Sequence, residues 1–196
     1  MCCLVALLLN TREAVSLNSP SDYMQCAVEE VMAILKDDQL KLPERSQDRR
    51  KLILTVIRYH FDFEEMSKLA MGAHWKEISD NDKGHFVEIF SQLVENSYIN
   101  KIEAYSDQQI IFLKESVQEN KSLVPTLIKH NNLDIPIHYK LHKAHDRWRV
   151  YDVVIEGVSL VQNYRSQFSS IIMKEKYAGL VQRIDEKLGK IAVEGR

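Results

Sequence analysis

His138, His142 and His145 crowd one short stretch of the chain and are the first place to look for a metal. Around them Ile135, Ile137, Tyr139 and Leu141 alternate with Pro136, His138, Lys140 and His142, the period of a strand buried on one face. On a strand, positions four apart stand roughly 13 Å from one another along the axis, too far to share an ion. A solvated strand face is the better reading, and no metal is expected. His74 beside Trp75, and His85, lack a second ligand at helical spacing. Enzyme signatures are equally thin, with no G-x-S-x-G elbow, glycine-rich phosphate loop or H-E-x-x-H pair in the sequence. One proton-transfer arrangement remains, an acid and a tyrosine in an apolar pocket, as in small cone-shaped isomerases and dehydratases. Its candidates are Asp152, Glu156 and Tyr151. Strand alternation opposes it, because it sends Asp152 and Glu156 to the face opposite Tyr151, Val153 and Ile155. No catalytic residue is expected.

The elements that carry these residues follow from periodicity. From about Ser21 to Tyr105 the apolar period is helical, and Ser19 or Ser21 can cap a first helix burying Met24, Ala27, Val28, Val31, Met32 and Leu35. Pro43 opens the next start. Leu52, Ile53, Val56, Ile57 and His60 share a face, a short amphipathic helix ends at Gly72, and a long one from about Asp80 buries Phe86, Ile89, Phe90, Leu93, Val94, Ser97 and Tyr98. Strands are expected at Gln109 to Val117, Ser122 to Lys129, Ile135 to His142 and Arg147 to Gly157, in meander order. Pro125 cannot donate to a ladder, so its strand is expected at an edge or with a bulge. Two helices close the chain, one burying Leu160, Val161, Tyr164, Phe168, Ile171 and Ile172, the other Tyr177, Leu180, Val181, Ile184 and Leu188. The expected fold is α+β: N-terminal helices, an antiparallel meander sheet of about four strands and two C-terminal helices.

Composition agrees with one body. The 196 residues are 45% hydrophobic and 28% charged, ordinary for a globular domain. A net charge of -2 with interspersed acids and bases excludes the clustered basic excess that nucleic acid requires. Met1-Cys-Cys-Leu-Val-Ala-Leu-Leu-Leu9 is an apolar run far short of the ~20 residues that span a bilayer, and no basic residue precedes it. Residues 1–17 are read as a truncated signal peptide, a buried or frayed terminal segment being the other reading. Cys2 and Cys3 then fall in the leader, and Cys26 alone builds no disulfide framework. A single domain over 18–190 is expected, with a helical lobe at 21–105, the sheet and closing helices at 107–190, and a tail at 191–196.

A strand-period run ending in Trp148, Val150, Tyr151, Asp152, Val153, Ile155 and Glu156 passes through Gly157, Val158 and Ser159 into a helix-period run with Leu160, Asn163, Tyr164, Arg165, Gln167 and Phe168. This junction resembles the signature of the periplasmic phospholipid-carrier family of the Mla lipid-asymmetry pathway, also called the toluene-tolerance family. The upstream Phe61-Asp-Phe-x-x-Met-x-x-Leu-Ala-Met-Gly72, with Trp75 after it, and the order of elements extend the resemblance over nearly the whole chain. The β-hairpin before the signature departs from it, reading Ala144-His-Asp where members often have Asp-Gly or Gly-Gly.

The resemblance implies a periplasmic shuttle, not an enzyme, that holds a phospholipid as cargo with its tails inward. It would need no cofactor. It would pass its lipid between an outer-membrane lipoprotein complex and an inner-membrane ABC transporter complex with its lipid-binding MCE component, maintaining outer-membrane lipid asymmetry. An accessory role in hopanoid metabolism is the sister reading. At about 0.8 kcal/mol per methylene, two bare acyl chains crossing water would cost on the order of 20 kcal/mol. An apolar cavity between sheet and helices would remove that barrier. Its expected sheet-side wall is Tyr139, Tyr151, Val153, Ile155, Val158, Val161, Tyr164 and Phe168. Leu69, Phe86, Ile89, Phe90 and Leu93 would face them. Gly157 is expected to allow a bend and Ser159 to cap the following helix. Arg165 is expected to pair with Asp152 or Glu156, or to contact a lipid headgroup at the mouth.

Overall fold

The computed structural model describes residues 19–105, 108–130 and 133–194. The leader at 1–17, the start of the sheet segment at 107 and the end of the tail at 195–196 lie outside the described residues. Helix α1 (Pro20–Lys36) begins where the Ser19 hydroxyl accepts the Asp22 N–H, so Ser19 is the cap and Pro20 occupies the first turn. Pro43 opens a 3-10 turn (Pro43–Arg45) that leads into α2 (Ser46–His60). Asp62 caps α3 (Phe63–Met71) by accepting the Glu65 N–H, and Gly72 ends it at φ 59, a conformation open to glycine. Helix α4 (Asp80–Glu103) is capped by Ser79.

The sheet is antiparallel throughout and has six strands where about four were expected. They are β1 (Gln109–Phe112), β2 (Ser116–Gln118), β3 (Lys121–His130), β4 (Leu133–Ala144), β5 (Arg147–Ile155) and β6 (Val158–Ser159). Both β1 and β2 pair with β3, and β4, β5 and β6 follow in order. One extra strand comes from breaking the expected 109–117 segment in two. The break lies opposite Pro125, whose carbonyl accepts the Leu113 N–H while its ring offers no donor in return. Pro125 is thus inside the sheet, not at its edge, and the interruption falls on its neighbour. The other extra strand, β6, returns along β5 through a two-residue turn in which Glu156 and Gly157 have φ 49 and 82. The β4–β5 turn has the same mirror-image form, with His145 at φ 49 and Asp146 at φ 63.

Helix α5 (Leu160–Glu194) is two helical arms meeting at Lys176, whose φ of 62 breaks the helical path, so it supplies the expected closing pair. The buried apolar residues do not form one continuous core, as is usual for a domain, but three clusters. One joins α3, α4 and α5, a second lies between α1 and the sheet, and a third joins α1, α2 and α4. Phe61 borders the first two and Ile57 the first and third.

Candidate functional site

The inner face of the sheet is apolar apart from Ser122 and Thr126, but helices seal only part of it. Register sets it out in rows: Ser122, Leu141 and Val150 at one end, then Val124, Tyr139 and Val153, then Phe112, Thr126, Ile137 and Ile155, then Ile110, Ile128 and Ile135. At the first end Tyr23, Met24 and Ala27 of α1 seal the face, and Leu141, Val150 and Val124 are 0% exposed. Toward the other end Tyr139, Phe112, Ile137, Ile155, Ile110, Ile128 and Ile135 are all only half-buried. A soluble face losing its cover normally turns polar; this one remains isoleucine and aromatic, with Thr126 buried and bonded to the Ile137 carbonyl at 2.7 Å. Tyr139 keeps accessible surface, yet desolvation pushes its hydroxyl up to about 12, and Tyr105 beside it adds to the shift. With Phe112, Ile137 and Ile155, Tyr139 packs against the open side of the α1–sheet cluster.

Among the expected wall residues, Tyr139, Val153 and Ile155 share this face. Tyr151 does not. The ladder shifts register between Lys140 and Leu141, opposite Asp152 and Val150, leaving Tyr151 as an extra residue on its strand. The bulge reverses the alternation, so that Trp148 and Val150 before it and Val153 and Ile155 after it point the same way. The Tyr151 ring lies on the other face against His142, 5.5 Å between centroids, with the Lys121 amine 5.9 Å away. Val158 is 59% exposed in the short β6 and lines no interior space.

The remaining expected residues form a group of their own. Phe86, Ile89, Phe90, Leu93, Val161, Tyr164 and Phe168 are buried in the α3–α4–α5 cluster, with the half-buried Leu69 against it. Phe86 stacks on Phe90 at 5.8 Å, and Phe168 meets both edge-on at 5.7 and 5.6 Å. These aromatic contacts help hold the helical cluster together. Phe112, Ile110, Ile128, Ile135 and Ile137 also lie on this face of the sheet and were not among the expected wall residues. The alternating Ile135-to-Leu141 run announced a buried face, but only the pairing register shows which of its rows outlast the helices.

The outer face fastens the helical cluster to the sheet. Asp152, 3% exposed, accepts the Ser159 hydroxyl at 2.7 Å, the Val161 N–H at 3.1 Å and the Lys140 amine at 2.9 Å. Ser159 in turn accepts the Gln162 N–H at 3.1 Å, the cap expected of it. His142 reaches Asp62 at 2.9 Å, tying β4 to the start of α3. Asp152 is therefore held at a helix start, where carboxylates are favoured, and Glu156 is exposed in its turn, so the two do not form an acid pair beside Tyr151. Arg165 pairs with neither. Its guanidinium lies over Gly72, close enough that a Cβ there would meet Nε at 2.9 Å. Lys140 takes the place by Asp152 that was expected for it.

Comparison with known proteins extends over the same elements. A family model described as MlaC protein matches residues 25–186. The intermembrane phospholipid transport system binding protein MlaC of Haemophilus influenzae is 23% identical over 184 residues, 91% of this chain and 86% of that protein. Toluene tolerance protein ttg2D of Pseudomonas putida is 21% identical over 181 residues, 91% of this chain and 84% of the relative. Among solved structures, the phospholipid-binding protein from Ralstonia solanacearum in complex with a phospholipid superposes with a TM-score of 0.81 at 24% identity. That match covers 88% of this chain and 98% of that one and shows a common fold.

Proposed function

Because the chain belongs to the MlaC family, whose model spans most of its length, we propose that it binds phospholipid and carries it between membranes. The tails would lie along the uncovered rows of the inner sheet face. One observation carries this reading: that face stays apolar where α1 stops sealing it, with Phe112, Ile137, Tyr139 and Ile155 only half-buried there. Apolar surface left in contact with water lowers stability by about 25 cal/mol per Å², so a face of this kind is stable when something apolar completes it. The relatives' names agree, one being a phospholipid transport binding protein and another a phospholipid complex.

The carrier would work in the periplasm, receiving and delivering its lipid between an inner-membrane ABC transporter complex, with its lipid-binding MCE component, and an outer-membrane lipoprotein complex. Among the described residues no helix is long and apolar enough to cross a membrane. Carriage needs no chemistry on the lipid, and the fully bonded Asp152 fits a structural role better than proton transfer. Release is possible because bilayer and protein interior are similarly apolar, leaving the net affinity to small differences in packing. Protein purified without detergent from a bacterial host should yield about one phospholipid per chain by native mass spectrometry or solvent extraction. Ile137→Glu should abolish that loading with an unchanged far-ultraviolet circular dichroism spectrum. Native protein free of lipid, or a variant that still loads, would overturn the assignment.

A further inference from the structure

We propose that the second arm of α5, residues 177–194, can be exchanged with a second copy of this chain, giving a reciprocal dimer in which each arm seats on its partner. Strain at the hinge favours it. Lys176 holds φ 62 and ψ -176, a backbone region open to glycine and costly to a lysine. The bend makes a second demand at Gly179. A Cβ there would run into the Cβ of Glu175, whereas on an unbroken helix positions four apart keep these atoms about 5 to 6 Å from each other. Two observations, one of backbone and one of packing, thus mark the folded-back form as tight where a straight helix would be relaxed. Arg183 opposes them by donating to both Glu175 oxygens at 2.7 and 2.5 Å. That pair is eight residues apart, and a straight helix would separate its members by about 12 Å. Both side chains are partly exposed, so the latch is a weak one.

The apolar stripes say why a straightened arm needs another molecule. In the bent form Leu180 and Ile184 are buried, while Tyr177 lies 6.3 Å from the Phe86 ring and donates to the Asp82 carbonyl at 3.0 Å. The first arm buries Phe168 and Ile172 in the same α3–α4–α5 cluster. At about 100° per residue, an unbroken α5 would turn its Ile184–Leu188 side roughly 160° away from its Phe168–Ile172 side. The two stripes could no longer reach one body. The second would stand open to water, and the surface already shaped to it is the vacated seat on α3 and α4 of an identical chain. Each arm remakes its own contacts there, and two hinges lose their strain. The sheet rows at Ile137 and Ile155 are untouched by the exchange, since they border the α1–sheet cluster instead.

The test is size exclusion with light scattering, after incubation at high concentration just below the thermal midpoint and again after dilution. A swapped dimer must unseat its arms to come apart, so it should persist on dilution where a surface contact dissociates at once. Lys176→Gly relaxes the bend and weakens the straight helix, and with two hinges per dimer it should lower the association constant about tenfold. Gly179→Ala suits the straight helix and not the bend, and should raise the constant by about the same factor. Gly189→Ala adds the same methyl to the same arm where nothing lies within 4 Å, and should leave the dimer fraction unchanged. Circular dichroism checks each fold. If Gly179→Ala does not fold, Lys176→Ile, β-branched at the left-handed position, takes its place and should act in the same direction. A dimer seen in neither the wild type nor the bend-opposing variant, a dimer fraction indifferent to Lys176→Gly, an equal rise with Gly189→Ala, or dimers lost at once on dilution would overturn the assignment.

Discussion

Asp152 shows how a residue with catalytic credentials is absorbed by architecture. Three donors converge on its buried carboxylate, from Ser159 of β6, Val161 of α5 and Lys140 of β4. Asp152→Asn keeps the size but replaces one accepting oxygen with an NH2 that faces donors, and should lower unfolding stability by about 2 kcal/mol, measured in urea. Lipid loading per folded molecule should persist. His60 is the other buried polar residue with a measurable consequence. It is 3% exposed, its ring lies edge-on between Tyr23 and Tyr59, and desolvation lowers its pKa below the ordinary 6.5, against a smaller raising pull from Glu30. The unfolded chain then binds the proton more readily than the folded one. The contribution to stability is fully present above the ordinary value and is lost as pH falls through it toward the folded pKa. Urea midpoints should drop between about pH 7.5 and about pH 5.5, and His60→Leu should flatten that drop.

At the scale of elements, turns decide more than strands do. The β4–β5 turn demands left-handed backbone at two positions, filled by His145 at φ 49 and Asp146 at φ 63. Left-handed conformations strain most residues, and glycine adopts them freely. Asp146→Gly should therefore stabilise the protein by roughly 0.5 to 1 kcal/mol in thermal or urea unfolding. The sequence made most of these elements readable: helix caps at Ser19 and Ser159, the glycine stop at Gly72, the strand alternation from Ile135 to Leu141, and the closing pair of helices. It could not reveal the bulge at Tyr151, because one additional residue leaves local composition untouched while reversing every orientation after it. Nor could it show that Phe86, Phe90 and Phe168 pack on one another, since apolar spacing on a helix is identical whether the neighbour is a ring or a lipid tail. Pairing across the sheet, a property of distant residues, was needed to find the rows at Ile137 and Ile110.

For the whole molecule the division into three apolar clusters sets the expectation. A protein whose interior is completed by a ligand is stabilised by it in proportion to saturation. Stripping the lipid with an organic-solvent wash should lower the thermal midpoint by about 5 to 10 °C, and reloading from vesicles should restore it. A midpoint indifferent to lipid would mean that the uncovered face is stable alone.

Pro125 has a consequence beyond its own strand. By interrupting its neighbour it divides one margin of the sheet into β1 and β2, four and three residues long, while at the opposite margin β6 covers the Val154–Ile155 end of β5 and Phe61 bridges Val150. The β1–β2 border offers no long row of open amides on which a second molecule could add a strand, and short borders are how proteins resist polymerising. A sheet with one apolar face is thus guarded on that margin against seeding fibrils.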